Sequence, residues 1–380
     1  MNNVYLSHNN IVSGYGFDSF SAIENIEKKV AALQLIANKT VLPQPFYASI
    51  INQDILQEKY DQLCPSEKHT RLERILLVSL ARTMAKARIK LTDRVGLIIS
   101  TTKGNIDVLE DKNPFTEERS YLSVLGKKVQ EHFGFKDQAI VLSNACVSGV
   151  LSVAIAKRLI RQGRYDHVFV AGGDLVTPFI LSGFNAFQAL SNAPCRPYCK
   201  NRAGINIGEV GASVLVTKEK ELLTPEAVKV LGEASCNDAN HISGPSRTGE
   251  GLYRSITSSL SQSGMKPSDI DYISAHGTAT VFNDEMEAVA FNRSGLESVP
   301  LNSLKGYFGH TLGASGLLET IIGMHSLHRN TLFASLGFEE LGVSKPLHII
   351  KNTTPKEINT FLKTASGFGG CNTAAVFQKI

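Results

Sequence analysis

Short apolar runs alternate with helical stretches along most of the chain, and this alternation restricts the fold more than any other feature. Strands that are covered by helices on both faces are continuously apolar rather than alternating. Six runs predict such strands, at 95–100, 140–143, 167–171, 213–216, 272–275 and 374–377. Helical stretches lie between them, notably at 71–88, 147–161, 252–261, 284–292 and 317–328. The sequence therefore predicts an α/β fold with mostly parallel strands.

A charged segment that contains a proline divides the chain. The segment KEKELLTPEA, at 218–227, follows a predicted strand. No sequence repeat is obvious across it, and no segment is of low complexity. We predict an N-terminal half, residues 1–220, and a C-terminal half, residues 221–380, which form one large domain or two intimate ones.

Charge and motif content weigh against several classes of function. A formal net charge of +4 is too small to indicate nucleic-acid binding, although it is compatible with an acidic protein partner. The absence of GxGxxG, P-loop, HExxH and GxSxG motifs argues against dinucleotide, nucleotide, zinc-protease and serine-hydrolase functions. Cys195 and Cys199, in CRPYC, have no second ligand pair nearby in the sequence, so we predict no metal site.

The expected location is the cytoplasm. The N-terminal MNNVYLSHNN lacks the basic region and apolar core of a signal peptide. The uncharged stretch 175–195 contains residues such as Asn185 and Gln188, which favour a buried turn and helix over a membrane span. Six scattered cysteines fit no disulfide framework, as expected in a reducing compartment.

Cys146 is the candidate nucleophile. It lies in SNACVSGV, at the start of a predicted helix whose unpaired N–H groups and dipole favour thiolate over thiol. Its small neighbours, such as Ala145 and Gly149, allow a substrate to approach the sulfur. A buried cysteine is usually only a small apolar side chain, and we accept that interpretation for Cys64 and Cys236.

Two histidines from distant strand–loop junctions complete the pattern. His276 follows a predicted strand in SAHGTAT, where sites of α/β sheets form. His310 lies in the glycine-rich loop KGYFGHTLGASG, whose glycines permit close ligand approach. Standing alone, His276 would be read as a satisfied surface histidine; with Cys146 the set suits covalent acyl transfer. We expect His325 and His328 to be solvated near a helix end.

Two supporting features accompany the histidines. Lys305 and Glu319 flank His310 in the sequence, either as a simple ion pair or as a cation that keeps nearby imidazoles neutral. The segment SGFGGCN, at 366–372, surrounds Phe368 with three glycines. This pattern predicts either an aromatic gate on a flexible turn or a tight loop between two strands.

Taken in order, these motifs resemble the elongating β-ketoacyl-acyl carrier protein synthases of the thiolase superfamily. The resemblance covers nearly the whole chain and includes VGLIISTTKG, NACVSG, AGGDLVTPFILSGFNAFQALS, RPYCKNRAGINIGEVGA, AHGTATVFNDEMEA, KGYFGHTLGASG and SGFGGCN. It implies a thiolase-like fold of duplicated halves in five layers, α-β-α-β-α. The nucleophile would lie in the first half and both histidines in the second.

The resemblance implies decarboxylative Claisen condensation. Cys146 would accept an acyl group, and neutral His276 and His310 would stabilise the negative oxygen formed when malonyl carrier protein loses CO2. Lys305 and Glu319 match the family's supporting ion pair.

The same resemblance implies further binding residues and no cofactor. The backbone N–H groups of Cys146 and Phe368 would form the oxyanion hole for the acyl thioester. Thr278 and Thr280 match residues that bind the phosphopantetheine arm, which arrives on the carrier protein.

Several departures from the family pattern leave the acyl substrate open. Tyr198 and Cys199 replace an aromatic–aspartate pair, RAG at 202–204 replaces Arg-Asp-Gly, and GEVGA replaces GEGAG. Lys103 stands where relatives line the acyl pocket with an apolar residue, so Lys103, Tyr198 and Arg202 are candidate substrate-binding residues. Lys103 would point outwards, shorten the pocket, or contact a polar, aromatic or polyunsaturated acyl group. The departures favour a specialised synthase over a housekeeping one.

The expected partners are acidic acyl carrier proteins that bring acyl and malonyl groups. Arg202 is the main candidate for docking them, with Lys68, Arg71 and Arg74 as weaker candidates. A homodimer is expected, with a heterodimer containing a chain-length-type subunit as the alternative. Two other functions stay open, a non-catalytic chain-length-type subunit and a CoA-dependent thiolase. Because Cys146 and both histidines are present, the first of these is disfavoured.

Overall fold

The computed structural model describes residues 3–39, 41–63, 68–111, 113–238 and 244–380. Its strands are β1 Tyr5–Ser13, β2 Gln34–Ile36, β3 Phe46–Ser49, β4 Val95–Ser100, β5 Ile140–Leu142, β6 His167–Asp174, β7 Ile207–Gly208, β8 Val210–Thr217, β9 Val228–Asn237, β10 Tyr272–Ser274, β11 Leu301–Asn302, β12 Thr331–Leu332, β13 Thr354–Pro355, β14 Thr360–Gly367 and β15 Cys371–Lys379. Its helices are α1 Ser19–Glu27, α2 Gln53–Asp61, α3 Arg71–Ala87, α4 Leu122–Phe133, α5 Ser148–Arg161, α6 Pro178–Ala186, α7 Glu250–Ser263, α8 Val281–Arg293, α9 Lys305–Phe308 and α10 Ser315–Arg329.

Ten strands form one sheet, in the order β11-β10-β14-β15-β9-β1-β8-β6-β4-β5. This order contains two sets of five, β5-β4-β6-β8-β1 and β11-β10-β14-β15-β9. In both sets the strand that comes third along the chain lies at the outer edge, followed by the second, fourth, fifth and first. The two first strands, β1 and β9, join the sets through two antiparallel residue pairs. The same topology therefore occurs twice, which confirms the predicted duplicated, thiolase-like fold.

The helices and the two strand sets form five layers. Helix α3 packs on the outer face of the first set, against β1, β6 and β8, and α7 packs on the second set, against β9 and β15. Helices α5 and α10 lie between the sets, and each contacts strands of both. Because the central layer is enclosed by sheet on both sides, α10 is buried along most of its length. The division into residues 1–220 and 221–380 stays a prediction.

The strands are not mostly parallel, and this part of the prediction is wrong. Among the nine pairings of the described ten-stranded sheet, four are parallel and five are antiparallel. Parallel neighbours need a crossover connection, whereas antiparallel neighbours need only a tight turn. The glycine-rich turn at 368–370 joins β14 directly to β15 and makes that pair antiparallel.

The six predicted strands and five predicted helices are all present, although some ends differ. Helix α3 begins at the predicted residue because Thr70 and Glu73 form a reciprocal capping box at its N-terminus. The sequence does not predict the other nine strands, among which β1, β9 and β14 are the longest. Each of these three interrupts its apolar residues with polar ones, for example Asn9 and Asn10 in β1 and Lys363 in β14, yet these side chains are buried.

Within the described residues, no helix is both long enough and apolar enough to cross a bilayer. The stretch 175–195 contains the short helix α6, in keeping with the predicted turn and helix. Its N-terminus is capped by Thr177, whose hydroxyl accepts the N–H of Ile180.

Candidate active site

Three elements bring Cys146, His276 and His310 together. Cys146 lies between β5 and α5, His276 follows β10, and His310 follows α9. His310 Nε2 is 3.1 Å from Cys146 Sγ, and the two imidazole centroids are 5.2 Å apart. The three side chains are buried, with exposed fractions of 8%, 2% and 2%. His276 and His310 lie 130 and 164 residues after Cys146 in the chain, yet all three share one buried site.

A strained turn presents the Cys146 sulfur. Ala145 adopts a left-handed backbone conformation, with φ of 44°, which is uncommon for a residue with a side chain. The hydroxyl of Ser148 accepts the N–H of Asn144 at 2.8 Å and donates to the carbonyl of Ala145 at 2.7 Å. These bonds close the turn just before α5, which begins at Ser148. Cys146 therefore precedes the helix by two residues.

Burial determines the protonation state of Cys146. Burial, with smaller contributions from Cys371 and Asp174, raises the pKa of the thiol to about 12, although Lys305 and Lys103 act in the opposite direction. Burial disfavours the thiolate and outweighs the two lysines here. The resting side chain is therefore a thiol at neutral pH, and the expected preference for thiolate is wrong.

The hydrogen bonds of His310 define its tautomer. The N–H of Leu312 donates to His310 Nδ1 at 3.2 Å, so Nδ1 of the neutral ring carries no proton. The Ser315 hydroxyl is 3.0 Å from the same nitrogen. Nε2 must then carry the proton, and it faces Cys146 Sγ. Burial and the charges of Lys305 and Lys363 lower the pKa of His310 well below its ordinary value.

His276 is held in the same form by Lys305. The Lys305 ammonium donates to the carbonyl oxygen of His276 at 2.6 Å and lies 3.4 Å from its Nδ1. An ammonium has only donors, so Nδ1 is the acceptor and Nε2 carries the proton. Burial, followed by Lys305, His310 and Lys363, lowers the pKa of His276 well below its ordinary value. Lys305 thus lies where the prediction of a cation that keeps the imidazoles neutral requires.

The predicted partner of Lys305, Glu319, binds a second lysine as well. Glu319 Oε1 accepts from Lys305 Nζ at 2.8 Å, and Glu319 Oε2 lies 2.6 Å from Lys363 Nζ. All three side chains are buried. The sequence analysis missed Lys363. The available signal was a lone lysine in the run TFLKTASG, which is otherwise uncharged.

Two buried carboxylates of α8 shape the loop after His276. Glu287 accepts the N–H groups of His276 at 2.9 Å and of the next residue at 2.7 Å. Asp284 accepts the N–H of Tyr198 at 2.7 Å and of Thr278 at 2.9 Å. Burial raises the pKa of Asp284 to about 7 and also raises that of Glu287. The sequence analysis missed both residues, although their spacing of three places them on one helix face.

A cavity of about 440 Å³ leads to the three central residues. Phe368 forms part of its wall, and its ring centroid lies 5.7 Å from that of Phe184 and 5.4 Å from that of Phe187. Thr278 and Thr280 also line the cavity, with their hydroxyl oxygens 2.8 Å apart. Of the predicted binding residues, these two threonines and Phe368 therefore lie in the cavity.

In the described part of the structure, Lys103 and Tyr198 do not line this cavity. Lys103 is exposed to solvent, so of the three predicted placements the outward one is correct. Tyr198 is fully buried, and its hydroxyl donates to Glu287 at 2.9 Å. It also lies against the loop after His276, since a Cβ on Gly277 would come within 2.8 Å of its ring. Tyr198 therefore supports the loop, and its predicted contact with substrate stays a prediction.

Arg202, the main docking candidate, is largely enclosed by the chain. Its side chain is only 6% exposed. Its guanidinium donates to the carbonyls of Cys199 at 3.1 Å and Gly342 at 2.6 Å. Of the weaker candidates, Arg71 is paired with a buried glutamate and Arg74 donates to the side chain of a glutamine. All three guanidinium groups therefore bind other parts of the chain, and the docking role of Arg202 stays a prediction.

Lys68, the fourth docking candidate, is exposed, as a docking residue requires. His328 is exposed as predicted, whereas His325 is half-buried and its Nε2 is 3.1 Å from the side-chain oxygen of Asn9. The prediction that His325 is solvated is therefore wrong.

The central atoms face one another as hydrogen-bonding groups rather than as metal ligands. One ligand-type atom each of Cys146, His276 and His310 lies within 4.8 Å of the others. A metal would need the Nε2 lone pairs, but the proton sits on Nε2 because Leu312 and Lys305 donate to the Nδ1 atoms. The residues present therefore do not fit a metal ion without rearrangement of both histidines.

Comparisons with known proteins agree with this geometry. Residues 21–221 match the family model for the N-terminal domain of beta-ketoacyl synthase, and residues 227–339 match that for its C-terminal domain. The 3-oxoacyl-[acyl-carrier-protein] synthase 2 of Rhizobium meliloti (strain 1021) is 34% identical over 252 residues, which are 62% of this chain and 59% of that protein. The protein of the same description from Coxiella burnetii (strain RSA 493 / Nine Mile phase I) is 28% identical over 313 residues, 76% of either chain.

Among solved structures, the fold is similar to that of a ketosynthase, ApeO, in complex with its chain length factor, ApeC, from Xenorhabdus doucetiae. The TM-score is 0.88 at 24% sequence identity, and the match covers 100% of this chain and 98% of that chain.

Proposed function

The chain belongs to the β-ketoacyl synthase family and is an acyltransferase, and on that premise we propose how its cavity elongates an acyl chain. The observation that carries the proposal is the set of two neutral imidazoles that line the cavity beside a buried thiol, each with its proton on Nε2. In such a set the thiol accepts an acyl group, and the imidazoles then stabilise negative charge on a nearby oxygen.

In the first half-reaction, Cys146 takes the acyl group from a carrier-protein thioester. A new carbon–sulfur bond forms at Cys146 Sγ, the carbon–sulfur bond to the phosphopantetheine arm breaks, and the proton lost by Cys146 ends on the arm's sulfur. The backbone N–H groups of Cys146 and Phe368 stabilise the tetrahedral oxygen in this proposal. Close packing of the two segments supports it, since a Cβ on Gly367 would lie 3.0 Å from the Cys146 nitrogen.

In the second half-reaction, malonyl carrier protein occupies the cavity. Its carbon–carbon bond to the carboxylate breaks, CO2 leaves, and the electron pair forms an enolate whose oxygen accepts from His276 and His310. The enolate carbon then attacks the Cys146 thioester, and Cys146 leaves and regains a proton. Thr278 and Thr280, whose hydroxyls line the cavity, bind the phosphopantetheine arm. The chemistry requires no resident cofactor.

The acyl substrate is proposed to be that of a specialised, polyketide-like synthase rather than a housekeeping one. Support comes from the altered segments RAG at 202–204 and GEVGA at 208–212. The contacting rings of Phe184, Phe187 and Phe368 in the cavity wall also support it, because planar unsaturated chains stack on aromatic faces. Elongation of ordinary fatty acyl chains is the alternative.

A two-subunit assembly through β5 is also proposed. β5 forms one edge of the ten-stranded sheet, and its three apolar residues are only half-buried. An exposed apolar edge strand is a surface that a second sheet covers by pairing. A second copy of this chain is the expected partner. The solved ketosynthase above, which is bound to a chain length factor, makes a heterodimer the alternative.

Intact-protein mass spectrometry tests the proposal. The protein is incubated with carrier proteins that bear long saturated, short or polyunsaturated acyl groups, and then with malonyl carrier protein. We expect one acyl mass per chain, which Cys146→Ser abolishes. Cys236→Ser, a change at a half-buried cysteine of β9, is the matched control and should acquire the same mass.

The masses also separate the alternatives. Loading by acyl-CoA in preference to acyl carrier protein would favour a thiolase. No loading from any donor would favour a non-catalytic subunit, and preferred loading of long saturated chains would restore the ordinary fatty acid assignment.

A further inference from the structure

Lys363 is a fully buried lysine in the middle of β14, and the reaction above assigns it no role. Its ammonium donates to the carbonyl of Ser274 at 3.0 Å and of Ala275 at 3.3 Å. These are the two residues directly before His276. Since Lys305 donates to the carbonyl of His276 itself at 2.6 Å, two lysines hold three successive carbonyls at the end of β10.

Lys305 and Lys363 share the carboxylate of Glu319. The single carboxylate of Glu319 lies 2.8 Å from the Lys305 ammonium and 2.6 Å from the Lys363 ammonium. Two cations therefore share one anion, at a place where all three side chains are at most 3% exposed. Both positive charges lie beside His276, because the two ammonium groups donate to its backbone carbonyl or to those of the two preceding residues.

We propose that Lys363 is a positioning residue that acts through His276 and His310. Its charge keeps both imidazoles uncharged, and its hydrogen bonds fix the end of β10 from which His276 projects. This inference rests on the proposed function, because it names the group that prepares the two donors for decarboxylation.

Neutral imidazoles matter for a physical reason. The malonyl carboxylate is an anion until CO2 leaves. An imidazolium beside it would stabilise the carboxylate in the ground state and so oppose its loss. A second proton on His310 would also have to sit on Nδ1, where the N–H of Leu312 already donates.

The charged and titratable groups around the two histidines come from several packed elements. They are Cys146 before α5, Asp174 at the end of β6, Asp284 and Glu287 on α8, Lys305 on α9, Glu319 on α10 and Lys363 on β14. The carboxylates of Asp284, Glu287 and Asp174 are occupied by backbone N–H groups. Burial raises the pKa of all three.

The direction of the histidine titrations supports this role. After burial, the charges of Lys305 and Lys363 are among the causes that lower the pKa of both His276 and His310. Burial also lowers the pKa of Lys363 itself, and Glu319 opposes that change. Removing the Lys363 charge should therefore raise the pKa of both histidines.

The experiment compares the wild-type protein with three variants. Lys363→Gln keeps hydrogen-bond donors for the two carbonyls but carries no charge, and Lys363→Arg keeps the charge. The matched control is Lys157→Gln on α5, because Lys157 is also buried and donates to a backbone carbonyl, that of Leu231 at 2.9 Å. Each is assayed for decarboxylation of malonyl carrier protein from pH 5 to 9. The imidazoles are titrated by NMR with labelled histidine.

We expect Lys363→Gln to lose activity as the pH falls through the raised histidine pKa. On the acid side of the profile, the pH at which activity falls should be about one unit higher than in the wild type. The reason is that loss of one nearby charge changes the Coulomb energy of each imidazolium by an amount that corresponds to about one pKa unit. The NMR titrations of His276 and His310 should move in the same direction. Lys363→Arg and Lys157→Gln should keep the wild-type profile, and acylation of Cys146 should persist in all variants.

Two results would overturn the inference. One is a Lys363→Gln protein whose histidines remain neutral over the wild-type range. The other is an equal shift in Lys157→Gln. If Lys363→Gln does not fold, the same NMR titration of the histidines is done on Lys363→Met, which is uncharged and similar in shape. Failure of the wild-type protein to decarboxylate malonyl carrier protein would contradict the proposed function, while the NMR titration would still decide the role of Lys363.

Discussion

At the scale of single residues, the protonation states of the site follow from burial and from fixed donors. Burial raises the pKa of the Cys146 thiol and keeps the sulfur protonated. The backbone donor Leu312 and the ammonium of Lys305 fix the proton of each histidine on Nε2. The resting site therefore holds an uncharged thiol and two uncharged donors, a state that suits charge appearing only during the reaction.

The first prediction concerns the pH dependence of Cys146. The thiol pKa of about 12 means that the thiolate fraction rises about tenfold per pH unit through neutral pH. The alkylation rate at Cys146 should therefore climb from pH 6 to 10 without a plateau. Iodoacetamide labelling followed by peptide mapping measures this rate. A plateau below pH 8 would mean that the resting sulfur is a thiolate.

The second prediction separates the two half-reactions. His276→Ala and His310→Ala should still acquire the acyl mass at Cys146, because the donors act on charge formed in the second half-reaction. Each should slow malonyl decarboxylation by roughly 10²–10³, the usual loss for one donor to a developing oxyanion. Release of CO2 from labelled malonyl carrier protein measures the effect. Loss of loading with decarboxylation kept would show that the roles are exchanged.

At the scale of elements, the site depends on a close crossing of α5 and α10. A Cβ on Gly149 would come within 2.5 Å of the Leu317 nitrogen, and one on Gly316 within 2.7 Å of the Val150 nitrogen. Backbone therefore packs on backbone at this crossing. Because Cys146 just precedes α5 and the loop after His310 leads into α10, the crossing sets the distance between sulfur and imidazole.

The third prediction tests this crossing. Gly149→Ala should lower the free energy of unfolding by roughly 1–3 kcal/mol, because the new methyl group meets backbone that cannot move alone. It should also reduce acyl loading by displacing Cys146 from His310. Denaturant unfolding and the loading assay measure the two effects.

The control for this change is Gly183→Ala, in helix α6. A Cβ there would meet no atom within 4 Å, so alanine should stabilise the helix slightly, by up to about 1 kcal/mol. Equal behaviour of the two variants would show that the crossing tolerates a methyl group.

At the scale of the whole molecule, the two strand sets share one core. Helices α5 and α10 contribute Val150, Val153 and Leu317 to a cluster that also contains Val168 of β6 and Phe361 of β14. The active site lies across the same junction, since Cys146 comes from the first set and both histidines from the second. Neither set can bury its inner face without the other.

The fourth prediction follows from this shared core. Unfolding should be a single cooperative transition, because exposure of either strand set removes the packing of the other. Circular dichroism and the fluorescence of the ten tyrosines should therefore give coincident denaturation curves. Two separate transitions would show that the halves are independent domains and would support a real boundary near residue 220.

Local sequence patterns were sufficient for the most apolar strands, for five helices and for naming the reactive side chains, but not for strands such as β1, β9 and β14. The apolar runs and glycine-rich loops predicted six strands, five helices and the positions of Cys146, His276 and His310. Lys305 and Phe368 could be named as well, because ordered motifs specify local turns and reactive side-chain types. Such signals lie in adjacent residues, and a sequence displays adjacent residues directly.

The tertiary structure alone decided the environment of these residues. Lys363 of β14 forms an ion pair with Glu319 of α10. The Arg202 guanidinium donates to a backbone carbonyl, and Lys103 is exposed to solvent. The thiol state of Cys146 is likewise a property of its enclosure. Burial, pairing and electrostatic balance depend on which distant segments pack together, and neither composition nor spacing along one chain contains that information.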